Sequence, residues 1–175
     1  MTIKDAIDKA CLIGDFDKDE YTYSQFVSLA DQAQKILGNL CVNIISVIPI
    51  KISENGTFKY TLPDDCKELF RIKRHLSDEP VNYELIGKEL YINDLGDFDI
   101  FYIKIPDDID GTTPEEYEFE VDRATHFAIP YYIVYQICKN YDTTTAQTAL
   151  TEWNKYIALS KRKNMCVSKN IINNY

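Results

Sequence analysis

The residues best suited to chemistry in this chain are an acidic run, Asp15-Phe16-Asp17-Lys18-Asp19, two histidines, and five scattered cysteines. The run opens as a calcium-binding loop opens, with carboxylates at alternate positions. Such a loop needs Gly at its sixth position for the sharp turn and a bidentate Glu at its twelfth. Those positions hold Glu20 and Phe26. The run therefore reads as a solvated acidic turn leading into a helix. His75 and His126 stand far apart, without Cys or His at ligand spacing, and no HExxH or paired-cysteine pattern for zinc occurs. His126, beside Phe127, reads as a helix-face or boundary residue. No GxSxG places a nucleophile at an elbow, and the six glycines are isolated, so no phosphate cradle forms. The 28 carboxylates supply candidates, but no pair in opposed environments to divide acid from base. Asp64 and Asp65, after Pro63, read as turn formers. No catalytic residue, metal ligand or cofactor is expected.

Bulk properties point the same way. A chain of 175 residues suits one domain with a real core. Hydrophobic residues make up 45% of it, which excludes wholesale disorder. The 13 Tyr and 8 Phe favour partly wet contact surfaces, and equally favour strands. A net charge of −9 lacks the basic footprint of tight nucleic-acid binding. Like charge would instead keep DNA from sticking along a path it must traverse. Cys11, Cys41, Cys66, Cys138 and Cys166 stand singly, which suits a reducing compartment. Cys41 and Cys138 read as small buried hydrophobes. Met1 to Gly14 mixes charges with short apolar pairs, so no signal peptide is expected. The densest apolar run, Ile44 to Ile50, is too short to span a bilayer. An intracellular, soluble chain is expected.

The elements that must position these residues are legible from period and punctuation. Ile3, Ile7, Ala10 and Cys11 share a face, predicting a helix over 3–12 that Gly14 ends. Thr22 and Gln25 give a capping box. Behind them Phe26, Ala30, Ala33, Leu37, Leu40 and Ile44 recur in steps of four and three, predicting a helix over 22–46 that Pro49 stops. The period then changes, and five or six short strands are expected within 50–105. Lys51–Ser53 and Thr57–Thr61 read as a hairpin about Asn55-Gly56. Glu68–His75 reads as a third strand. Tyr83–Leu85 and Glu89–Ile92 flank Gly87 as a second hairpin, and Asp99–Ile105 closes the set. An acidic loop, 106–119, leads to helices over 122–140 and 144–163. Pro130 lies within the first of these, so that helix either kinks or begins there. The short Asn140-Tyr141-Asp142 link makes the pair an antiparallel hairpin. The expected fold is α+β: a helical bundle with a small antiparallel β subdomain inserted between its N- and C-terminal helices. It spans 1–165 as one domain, with 166–175 as a C-terminal tail.

Lys161-Arg162-Lys163 ends the last helix, where positive charge complements the macrodipole or marks a docking patch. The stretch beyond either frays or orders against a neighbour.

In order along the chain, YTYSQFVSLADQAQKILGNL, YTLPDDCKELFRIKR, YELIGKELYI, DIFYIKIP and FEVDRATHFAIPYYIVYQICKNYDTTTAQTALTEWNKYIAL resemble the head–tail adaptor (connector) proteins of tailed phages. The resemblance covers residues 3–160 and rests on the order of several weak motifs. In that family the segment matching Tyr60 to Asp65 leads into a small β domain. The segment matching Ile129-Pro130-Tyr131 opens the penultimate helix, and the Trp153/Tyr156 helix is the last. The resemblance implies a structural protein, not an enzyme: a ring, commonly of twelve copies, docked on the portal protein and extending the DNA channel toward tail or stopper proteins. DNA would pass without sequence-specific binding, and no membrane is involved. The protein would reside in the virion neck, and in the host cytoplasm during assembly. C-terminal elements often engage the portal in this family, which would make Lys161, Arg162, Lys163, Lys169 and Tyr175 a portal-docking tail. The alternatives are another neck or tail-completion protein and an intracellular protein-binding module.

Overall fold

A computed structural model describes residues 1–40, 44–54, 56–77 and 79–172, and their side chains except at 44 and beyond 160. It is an α+β structure with four α-helices and two antiparallel three-stranded sheets. Contacts divide the chain into two compact units, Met1–Val42 with Pro106–Tyr175, and Asn43–Ile105 between them in sequence.

The helical unit begins with α1, Ile3–Gly14. Thr2 and Asp5 close a capping box that satisfies amides at the helix start. Ile3, Ala6, Ile7 and Ala10 are buried on one face, as the spacing requires. Gly14 is the last helical residue, and Asp15 takes the left-handed capping conformation at φ 52°. The second helix, α2, spans Tyr23–Leu40. The Thr22–Gln25 box forms, with the Gln25 amide donating to Thr22 Oγ1 at 3.3 Å and the Thr22 amide to Gln25 Oε1 at 2.8 Å. Phe26, Ala30, Ala33 and Leu37 form the buried stripe, but Leu40 is exposed and Ile44 belongs to a strand. The helix thus ends short of the expected 46. Ile44-Ile45-Ser46-Val47-Ile48 is dense in β-branched side chains, which lose rotamer freedom in a helix and fit a pleated surface.

The expected helix over 122–140 reduces to a 3₁₀ turn at His126–Ala128 and α3, Ile129–Cys138. Pro130 lies in the first turn of α3, where its missing N–H removes no helical bond. The last helix, α4, spans Thr143–Ile172. It runs past the expected 163 because nothing from Lys161 to Ile172 is Gly or Pro. Asp142 caps it, its Oδ1 accepting from the amides of Thr144 and Thr145 at 3.2 and 3.1 Å. Tyr132 meets Trp153 at 5.0 Å and Tyr131 meets Tyr156 at 5.9 Å, so α3 and α4 run antiparallel. Their buried residues join those of α1 and α2 in one core.

The β unit comprises β1 Ile44–Ile52, β2 Phe58–Thr61, β3 Cys66–Arg74, β4 Tyr83–Ile86, β5 Glu89–Ile92 and β6 Gly96–Lys104. The sheets are ordered β1-β6-β3 and β2-β5-β4. The β4–β5 hairpin forms about Gly87, whose φ of 62° suits a residue without Cβ. The hairpin expected about Asn55-Gly56 does not form. β1 pairs with β6 and β2 with β5, while Asn55 lies outside the described residues. Pairing β1 with β6 sets Ile48 opposite Ile100 and Ile50 opposite Phe98, which buries more apolar surface than a local turn offers. Pro49 lies in β1, an edge strand, which tolerates a missing donor. Leu90 and Ile92 of the second sheet join Ile52, Ile72, Phe98 and Ile100 of the first in a second core.

Candidate assembly surface

The acidic run near the N-terminus shapes the chain locally. Asp15 caps α1, and Asp17 Oδ1 accepts from the Asp19 amide at 3.0 Å to start a 3₁₀ turn at Lys18–Glu20. Among the described residues no three His, Cys, Asp or Glu side chains group as metal ligands. His126 is buried at the head of α3. Its Nε2 lies 2.7 Å from the carbonyl oxygen of Val121, and its Nδ1 lies 3.0 Å from the amino nitrogen of Met1. Burial pushes its pKa below the ordinary imidazole value. This is the boundary position the sequence suggested. His75 is exposed at the end of β3, its Nδ1 3.1 Å from Asp99 Oδ2. The pair borders a shallow depression of about 310 Å³ with Pro49, Lys51, Asp97 and Phe98. Its described lining holds no hydroxyl or thiol nucleophile. Cys138 is buried, as expected, while Cys41 lies outside the described residues. Burial pushes the thiols of Cys11 and Cys66 up, which keeps them protonated and poorly nucleophilic.

The surfaces suited to contact are apolar. Both units expose large apolar side chains: Leu12, Phe127 and Tyr141 on the helical unit, Ile45, Val47 and Leu76 on the β unit. Leu76 is 91% exposed and has a φ of 58°, a left-handed backbone that a γ-branched residue seldom adopts. Arg74 organises the turns beside it. It donates to the Leu95 carbonyl at 2.7 Å and pairs with Asp94 at 3.5 Å and Glu79 at 3.7 Å.

The β2-β5-β4 sheet has two open edges of different character. β4 is exposed throughout, with Tyr83 at 47%, Leu85 at 41% and Ile86 at 56% exposure. On β2, Lys59 pairs with Glu89 at 2.5 Å and lies 6.0 Å over the Tyr91 ring. That bond raises the Lys59 pKa and lowers the Glu89 pKa, so both stay charged over a wide pH range. Sequence reading found the β4–β5 hairpin and a strand at Thr57–Thr61, but gave that strand Lys51–Ser53 as its partner, because nothing local to Phe58–Thr61 names β5.

Lys161, Arg162, Lys163 and Lys169 fall within the backbone span of α4, their side chains outside the described residues, as is Tyr175 altogether. Among the described residues no helix is long and apolar enough to cross a membrane. Comparison with protein-family models and with curated proteins found no match.

Proposed function

We propose that the chain is a structural subunit of a phage neck, an adaptor ring that joins the portal to the tail and continues the DNA channel. The observation that carries this reading is the insertion of a six-stranded β unit into a helical unit at one point, between α2 and α3. That is the element order the adaptor resemblance implies. Exposed apolar side chains on both units supply the lateral contact area a ring subunit needs. The net charge of −9 suits a channel that DNA crosses without adhering. The basic segment Lys161-Arg162-Lys163, with Lys169 and Tyr175 beyond it, is the portal-docking end in this reading.

Co-sedimentation with purified portal rings tests it. The expected result is a stoichiometric complex whose averaged electron micrographs show an added ring on the portal. A chain that never co-sediments with a portal ring overturns the adaptor role.

A further inference from the structure

β2 and β4 bound one sheet and differ chemically. Both run antiparallel to β5, hence in the same direction. The ladders align side chains in rows. Phe58, Ile92 and Tyr83 form one row and Tyr60, Leu90 and Leu85 another, on the face where Leu90 and Ile92 are buried. Lys59, Tyr91 and Glu84 form a row on the opposite face. The apolar rows begin and end on large apolar side chains. The charged row is positive at its β2 end and negative at its β4 end.

We infer that copies of this chain join head to tail through this sheet, β4 of one copy lying parallel to β2 of the next. Glu84 then meets Lys59 of the neighbouring copy, and Tyr83 and Leu85 meet its Phe58 and Tyr60. The chain supplies both halves of this match, which identifies a second copy as the occupant. A two-fold pairing of β4 with itself offers no cation to Glu84, because Tyr83-Glu84-Leu85-Ile86 contains none.

The other edges are blunted against strand addition. β1 carries Pro49 and Lys51, and β3 carries two register shifts with Lys67 and Lys73. β4 has no Pro, Lys or bulge. Lys59 would ordinarily blunt β2, but its bond to Glu89 holds it on the face where Glu84 of the next copy arrives. Unlike edges make a heterologous joint, which leaves one open edge at each end until rotation closes a ring. Added strands supply main-chain bonds, and the side-chain rows fix register. Strands of four residues make few such bonds, so assembly needs high concentration or a portal template. The inference rests on the ring reading and specifies its lateral contact.

The test mixes unlabelled and heavy-isotope-labelled full-length chain at high concentration, alone and with portal rings, then applies a zero-length carbodiimide cross-linker. Within one chain β5 separates Lys59 from Glu84 by two strand spacings, about 10 Å, which the two side chains can span, so only a mixed-isotope product reports the contact between copies. Mass spectrometry should find a mixed-isotope Glu84–Lys59 peptide. Glu84→Lys and Lys59→Glu should each weaken self-association about tenfold or more while circular dichroism stays native, and the double reversal should restore it. Rings that resist both reversals and never yield that cross-link overturn the strand joint and leave the ring reading standing. A chain that stays monomeric under every condition overturns both.

Discussion

Gly14 leaves the space that the Phe16 ring fills: a Cβ at position 14 would lie 2.2 Å from Cε1 of Phe16. The ring cannot simply retreat, because it packs edge-on to Tyr21 at 5.6 Å and stacks on Phe26 at 6.3 Å. Gly14→Ala should therefore destabilise the protein by about 1–3 kcal/mol, as overpacking does, although Ala is the better helix former. Denaturant titration of Gly14→Ala, Phe16→Ala and the double variant checks it. The two losses should be clearly non-additive, since removing the ring removes the clash.

Trp153 is the sole tryptophan, and it is buried in the helical core against Tyr132. Phe98 is fully buried in the separate core of the β unit. Phe98→Ala should cost the β unit about 3–5 kcal/mol. Hydrogen exchange should show the loss in β1, β3 and β6, while the tryptophan fluorescence transition moves far less. Equal shifts by both probes would show that the two units unfold as one.

His126 is buried with its pKa below the ordinary value, so the folded protein favours neutral imidazole. The unfolded chain then binds the extra proton first as pH falls. Stability is full above the unfolded value of about 6.5 and declines from there down to the lower folded value. His126→Gln should flatten this part of the profile in thermal melts from pH 7.5 to 5. Asp5, Asp110 and Asp142, whose pKa values hydrogen bonds lower, should drive a second loss at more acid pH in both proteins.

Leu76 holds a left-handed backbone while almost fully exposed, so its side chain returns little packing for the strain. Leu76→Asn should raise stability by about 1 kcal/mol, because Asn adopts this conformation more readily. Calorimetry of the free chain reads the gain. A lower melting temperature would show that Leu76 packs in ways its exposure conceals.

What could be read from the residues was what adjacent residues decide. The burial of Ile3, Ile7 and Ala10, the Thr22–Gln25 box, the Gly87 hairpin and the Pro130 start of α3 each depend on side chains within about two helical turns. Such features carry their own signal in spacing, and the α+β class follows from their order. The end of α2 was misjudged because Leu37, Leu40 and Ile44 keep a helical spacing while the residues after Leu40 have strand chemistry.

By itself the sequence determined the helical stripes, a change of period from helix to strand in the middle of the chain and the lack of a known catalytic motif. Beyond the β4–β5 hairpin, tertiary structure alone decided which strands meet. The Asn55-Gly56 signal lost to a β1–β6 pairing across more than forty residues, because Ile48 and Ile50 need Ile100 and Phe98 to leave water. It likewise placed Lys59 and Glu84 in one row across Tyr91. Pairing between distant segments is set by the apolar surface each buries, which no local spacing encodes.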